Sequence, residues 1–169
     1  MMSRKRLRNG ALGAALIAVP LVAHVRVAAA SSDRPRHARD GAFGTYIALG
    51  IRIGNDALAA LRAQPREVDV TLHSGPKSPC PCVIDGVMIV TTASSGQGTL
   101  RVAAEPAAED QIGVVIVRHR KDGRSVRYVI PASAGPKLFA WSKEKNARDR
   151  LDVVMQDPAE NLFAREAVK

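Results

Sequence analysis

The chain has 169 residues, two cysteines and a formal net charge of +9. This length suits one domain with its own hydrophobic core, and two cysteines exclude a fold held together by several disulfides. The charge alone would favour a nucleic acid partner, but its distribution along the chain argues against one.

The N-terminus has the order of basic and apolar residues that is typical of an export signal. The first ten residues carry four basic side chains and no acid, and an uncharged apolar run of 13 residues follows at 11–23. That run is shorter than the roughly 20 apolar residues of a membrane-spanning helix. Three alanines at 28–30 offer a cleavage site. We therefore expect cleavage after Ala30, no stable membrane insertion afterwards, and a periplasmic or secreted bacterial protein.

Cleavage would change the electrostatic argument. Residues 1–30 include five basic residues and no acid, so the mature chain has 20 basic and 16 acidic residues and a net charge of +4. Several of the remaining basic residues cluster at 118–127 with little aromatic interleaving, which favours a solvated turn and predicts no nucleic acid binding. His24 and Arg26 are unusually polar for this part of a signal, so an uncleaved anchor is the alternative.

The mature chain starts with a polar segment at 31–40, which we expect to be flexible, and one domain follows at 41–169. Apolar residues recur at helical spacing over 45–64, which predicts a long helix. Two glycines of this helix, Gly50 and Gly54, lie four residues apart. Because glycine disfavours a helix interior, their presence suggests close packing against another backbone.

The following elements are mostly strands. Alternation of polar and apolar residues over Glu67–His73 predicts a half-buried strand, and a loop rich in Ser, Gly and Pro ends it. The apolar segment Val83–Thr92 fits a buried strand or a buried helix. Three later runs predict strands, the last two joined as a hairpin: Thr99–Ala103, Gly113–Arg118 and Val126–Pro131.

The C-terminal part is charged and helical in tendency. Asp157 to Ala159 has the pattern of a cap and first turn, with Leu162 and Phe163 expected to face inward. The order of elements predicts an α+β domain with a mostly antiparallel sheet, a long N-terminal helix and short C-terminal helices.

Three stretches resemble the E-subunit domain family of molybdenum and tungsten formylmethanofuran dehydrogenases (FmdE-like domains). The Gly-rich segment Gly41–Gly54 resembles the lead-in to the family's first long helix. Cys82–Leu100 is similar to the family pattern of Cys, two residues, Asp-Gly, an apolar run and a Gly-x-Gly turn. Asp157–Phe163 resembles the family's ending.

The resemblance implies that the segment after Cys82 is a helix buried against the sheet. It also implies a metal or ligand site that uses the Cys and histidines at the positions of Asp40 and Ala42. Since neither position holds a histidine here, the chain departs from that pattern. The two cysteines of this sequence also do not supply the paired cysteines of the family's optional C-terminal zinc-binding module.

Cys82 and Asp85 are the candidate catalytic residues. A thiol at a helix N-terminus has its thiolate stabilised by the helix dipole. Asp85 would lie one turn along, where it could accept a proton, hold a ligand or cap backbone amides. The alternative is a buried structural cysteine and an aspartate that only satisfies amides.

Cys80 and His73 extend the candidate site toward a metal. The Cys80-Pro81-Cys82 sequence could close as a disulfide, bind a soft metal, or supply two independent small apolar residues. His73 ends the strand before this loop, so Cys82, Cys80 and His73 are candidate ligands of zinc or another transition metal. Histidines at strand ends are also commonly solvated.

Tyr46, Gly96 and Gly98 are weaker candidates for ligand binding. Tyr46 could line a pocket or belong to the core, and the two glycines could present backbone amides to an anion. The leading hypothesis is an exported domain that binds a small molecule or metal near Cys82, with a homodimer left open. The alternatives are an enzyme using Cys82 and Asp85 on a small organic substrate, and a scaffold domain with a degenerate site.

Overall fold

The structure is a computed structural model that describes residues 44–168. The expected signal, the expected flexible segment and the positions of Asp40 and Ala42 lie outside this range. None of the helices within it is both long and apolar enough to cross a bilayer. The elements in chain order are α1 (Thr45–Leu61), β1 (Val68–Ser74), α2 (Val83–Thr91), β2 (Leu100–Val102), β3 (Gln111–His119), β4 (Ser125–Pro131), α3 (Gly135–Glu144), α4 (Ala147–Gln156) and β5 (Ala164–Val168).

The five strands form one mixed sheet in the order β2-β1-β3-β4-β5. The pairs β1–β3, β3–β4 and β4–β5 are antiparallel, but β1 and β2 are parallel, with Val70 opposite Leu100. The expectation of a mostly antiparallel sheet is therefore wrong. The physical reason is α2, because a helical crossover between two neighbouring strands returns the chain in the same direction.

The core lies between the helices and one face of the sheet. Val68, Val70 and Leu72 of β1 are buried in one cluster with Leu49 and other residues of α1. The intervening residues of β1 are only partly buried. Because side chains alternate across a strand, these residues lie on the opposite face of the sheet.

The helices α1 and α2 cross with their backbones in close contact. A Cβ built on Gly50 would lie 2.0 Å from the Val83 carbonyl oxygen, and one on Gly86 would lie 2.0 Å from the Ile47 carbonyl oxygen. Further along, Gly54 contacts α2 near Val87 and Val90. The expected close approach of another backbone is confirmed at Gly50, whereas a Cβ on Gly54 would meet the Val90 side chain at 3.1 Å. Since later residues of α1 meet later residues of α2, the two helices run in the same direction and begin at the same end.

The C-terminal segment closes the sheet. A short 3₁₀ helix, Ala159–Asn161, precedes Leu162 and Phe163, which are buried as expected. The following strand β5 was not expected, because its sequence combines alanine with two adjacent charged residues, which do not favour a strand by themselves. Arg165 anchors β5 by donating to Asp56 of α1 at 2.9 and 3.1 Å.

The basic cluster at 118–127 surrounds the β3–β4 turn. Unlike the solvated turn that the sequence favours, it contains a buried histidine. His119 is 7% exposed, and its Nδ1 lies 2.9 Å from Oδ1 of Asp122, a contact of ion-pair length rather than a well-aligned hydrogen bond. Desolvation acts to raise the pKa of Asp122, but the His119 imidazole and the Arg124 guanidinium outweigh it and lower that pKa to about 2. The turn is therefore organised around the Asp122 carboxylate.

We expect Gly50→Ala to destabilise the fold by roughly 1–3 kcal/mol, because the added methyl group would overlap backbone atoms of α2. Helix propensity alone would instead stabilise this variant by about 1 kcal/mol. Urea unfolding of the purified protein measures the difference. Gly96→Ala is the matched control, since its Cβ would meet open space. A Gly50→Ala variant as stable as the wild type would refute the close crossing.

Asp122→Asn should lower stability in a pH-dependent way. The folded pKa of about 2 lies below the usual value of 3.8. The carboxylate therefore stabilises the fold above about pH 4, and this contribution is lost as the pH falls toward 2. Urea midpoints measured at several pH values should show a gap between wild type and variant that narrows on acidification. A gap that stays constant would contradict the ion-pair account of this turn.

Candidate ligand site at the Cys80–Cys82 disulfide

Cys80 and Cys82 are joined in a disulfide with a Cα–Cα distance of 5.2 Å. This is one of the arrangements that the Cys80-Pro81-Cys82 sequence left open. Neither residue presents a thiolate in this state, and the sequence has no other cysteine. A role of Cys82 as a nucleophile, or of either cysteine as a metal ligand, therefore requires reduction of the disulfide first.

Cys82 immediately precedes α2, as the resemblance implies. The helix starts at Val83, Asp85 lies in its first turn, and no side chain caps its N-terminus among the described residues. The amides of Ile84 and Asp85 bond to the carbonyls of Pro81 and Cys82 at 3.0 and 3.2 Å. Cys82 thus occupies the N-cap position, at the positive end of the α2 dipole.

A cavity of about 310 Å³ lies beside the disulfide. Three segments form it: the start of α1, the loop before α2, and one side of α3. Two predicted site segments, around Tyr46 and around the cysteines, are therefore brought together. The lining residues are Gly44, Tyr46, Ile47, Pro79, Cys80, Cys82, Phe139 and Ser142.

Phe139 and Ser142 are site residues that sequence reasoning missed. Phe139 is a large apolar side chain that is 56% exposed at the cavity wall. The sequence held one indication, because a spacing of three residues places both side chains on the same side of a helix. Nothing in the sequence indicated that this side of α3 faces the start of α1.

A buried hydrogen-bond pair fixes α3 against α1. The Thr45 hydroxyl donates to the Leu138 carbonyl oxygen at 2.9 Å, and its oxygen lies 2.6 Å from Oγ of Ser142. Since the Thr45 proton is already used, the Ser142 hydroxyl is the donor of the second bond. The Ser142 oxygen keeps a lone pair with which it can accept a hydrogen bond from a ligand in the cavity.

Tyr46 supplies the other polar group of the cavity wall. Its side chain is partly buried, and this burial raises the pKa of the phenol above its usual value of 10.0. The phenol therefore stays neutral at physiological pH and can donate a hydrogen bond. Asp85 is exposed and is not among the lining residues. The cavity accordingly has apolar walls and two neutral hydroxyl groups.

His73 lies elsewhere. It belongs to the outward-facing residues of β1, its Nδ1 is 2.9 Å from the Glu105 carbonyl oxygen, and it lines two other cavities of about 370 and 250 Å³. Neither cavity shares a lining residue with the one beside the disulfide. Within residues 44–168, no three His, Cys, Asp or Glu side chains are placed to hold a metal. The structure thus does not bring His73 to Cys80 and Cys82.

Gly96 and Gly98 belong to an exposed turn between α2 and β2. Gly98 has a left-handed φ of +68°, and its amide donates to the Ser95 carbonyl at 3.0 Å. Neither glycine lines the cavities described above. The left-handed conformation explains Gly98 as a turn residue.

Comparison with known proteins identifies the domain. None of the curated proteins matches the chain significantly. A family model described as "FmdE, Molybdenum formylmethanofuran dehydrogenase operon" matches residues 40–164. This range includes every lining residue of the cavity beside the disulfide and nearly three quarters of the chain. The chain therefore belongs to the FmdE family.

Proposed function

We propose that this FmdE-family domain binds a small organic molecule in the cavity beside the Cys80–Cys82 disulfide. The observation that carries the proposal is the convergence of three chain segments on one mostly apolar cavity of about 310 Å³. This volume lies at the lower end of the range of small-molecule sites, about 300–1,000 Å³. The ligand is therefore a small compound, of the size of one ring with short substituents.

The lining residues define the chemistry of the ligand. Ile47, Pro79 and Phe139 offer apolar surface to a ring or a short aliphatic group. Tyr46 can donate a hydrogen bond and Ser142 can accept one, so a ligand with a hydroxyl or amide group satisfies both. Binding is better supported than catalysis, since Asp85, the expected acid or base, lies outside the cavity wall.

Metal binding is less well supported than the binding of a small organic molecule. The family description names a molybdenum enzyme operon, and reduction of the disulfide would expose two soft thiolate ligands. The described residues add no third ligand to the cysteines. These residues alone therefore do not fit a closed metal site, and no step of the proposal depends on a metal.

The proposal also includes export. The basic and apolar pattern of the first 30 residues favours a cleaved signal. A disulfide between the two cysteines is consistent with an oxidising compartment. We therefore propose that the domain works in the periplasm or outside the cell.

Phe139→Ala should weaken the binding of small aromatic probes about tenfold, the effect of losing roughly 1.4 kcal/mol of contact energy. Because Phe139 is 56% exposed, the variant should keep its fold. Met155→Ala is the control, since Met155 is 40% exposed and does not line the cavity. Titration of phenol and indole into ¹⁵N-labelled protein gives affinities and maps the site. Shifts confined to the outer face of the sheet would refute this pocket.

Export can be tested by intact mass. The protein isolated from the periplasm or medium of an expressing bacterium should begin within one or two residues of Ser31, because an apolar run and an alanine cluster precede it. A species that keeps residues 1–30 in the membrane fraction would contradict cleavage and favour the anchor.

A further inference from the structure

We infer that the Cys80–Cys82 disulfide is a thiol–disulfide exchange site whose co-substrate is a small thiol that enters through the cavity. The inference deepens the proposed function, because it rests on the same cavity and names a ligand class for it. Its chemistry follows from three observations: the size of the loop that the disulfide closes, the position of both sulfurs at the cavity, and the helix that begins after Cys82.

The disulfide contributes little to the stability of the fold. Its two cysteines are separated by a single residue. Disulfide stabilisation grows with the length of the closed loop, so this bridge removes little freedom from the unfolded chain. The start of α2 is held instead by the backbone contacts of Gly50 and Gly86 with the opposite helix. Reduction should therefore leave the domain folded, as a repeated redox reaction requires.

Both sulfurs are within reach of a small co-substrate. Cys80 and Cys82 are partly exposed, and both line the cavity of about 310 Å³. The apolar surface of Ile47 and Phe139 lies on the other segments of the same wall. A thiol carried on a small apolar group can thus bind with its sulfur against the disulfide.

The helix geometry decides which sulfur leaves. Cys82 precedes the nine-residue helix α2, and the N-terminus of α1 lies at the same end of the helix pair. A thiolate on Cys82 is stabilised by the positive end of the α2 dipole, whereas Cys80 lies two residues further from it. Asp85 in the first turn is exposed, so water screens its opposing charge. Cys82 is therefore the better leaving group.

The exchange proceeds in two balanced steps. The thiolate of the small thiol attacks Sγ of Cys80, a mixed disulfide forms, the Cys80–Cys82 bond breaks, and Cys82 leaves as a thiolate. A second thiolate attacks the small-molecule sulfur of the mixed disulfide and releases Cys80. Two thiols are oxidised to one disulfide, and the protein disulfide is reduced to a dithiol by the same two electrons. Exchange with another small disulfide reverses both steps.

The test uses phenylmethanethiol as the redox probe with the mature protein. Alkylation and intact mass should show that millimolar phenylmethanethiol converts the disulfide to the dithiol while far-ultraviolet circular dichroism and the urea midpoint stay unchanged. In Cys80→Ser the remaining Cys82 thiol should alkylate about tenfold faster near pH 6 than the Cys80 thiol does in Cys82→Ser. The reduced wild type provides the same comparison by peptide mapping.

Two results would overturn the inference. One is a disulfide that resists phenylmethanethiol in the native protein and is reduced only in urea. The other is a dithiol in which Cys80 is the faster-reacting thiol. These outcomes are separate from those of the phenol and indole titrations. A reducible disulfide without probe binding removes the ligand proposal, whereas probe binding beside an inert disulfide removes only the exchange reaction.

Discussion

The contact between Gly50 and Gly86 is the constraint on which the rest of the site depends. Any side chain at either position would push α1 and α2 apart, since a Cβ there lies 2.0 Å from the facing carbonyl oxygen. The contact lets the two helices pack closely side by side, and they run in the same direction. Their first turns therefore lie at one end of the domain, where Tyr46 and the cysteine loop form two walls of the cavity.

The third wall of the cavity is formed by α3, and its position depends on a different interaction. Thr45, the first residue of α1, is fully buried and bonds to the Leu138 carbonyl and the Ser142 hydroxyl of α3. A buried polar side chain needs such partners, so the position of α3 is set by the same end of α1 that carries Tyr46. Loss of this pair would open the cavity even if the sheet stayed intact.

The sequence predicted local structure better than the contacts between elements. The strand around Val70 and the helix contact at Gly50 follow from periodicity and glycine spacing, whereas the helix after Cys82 depended on the family resemblance. The alternation of β1 already places His73 on the face opposite Val70, which argues against a shared site with the cysteines.

Other features could not be predicted because they depend on partners distant in the chain. The parallel pairing of β1 with β2 follows from the helical nature of α2, which periodicity left undecided. Strand β5 has weak strand propensity, and a hydrogen bond from Arg165 to Asp56 of α1 helps to hold it in place. Phe139 and Ser142 became site residues only through the contact of Thr45 with α3.

The disulfide is a reactive group at the cavity and contributes little to the stability of the fold. Comparison of ¹H–¹⁵N spectra of the oxidised protein and the dithiol tests this claim most directly. The account predicts that amide shifts change only around the cavity, at the starts of α1 and α2 and along α3 near Phe139. Changes that spread through the strands β3 and β4, or a loss of signal dispersion on reduction, would contradict it.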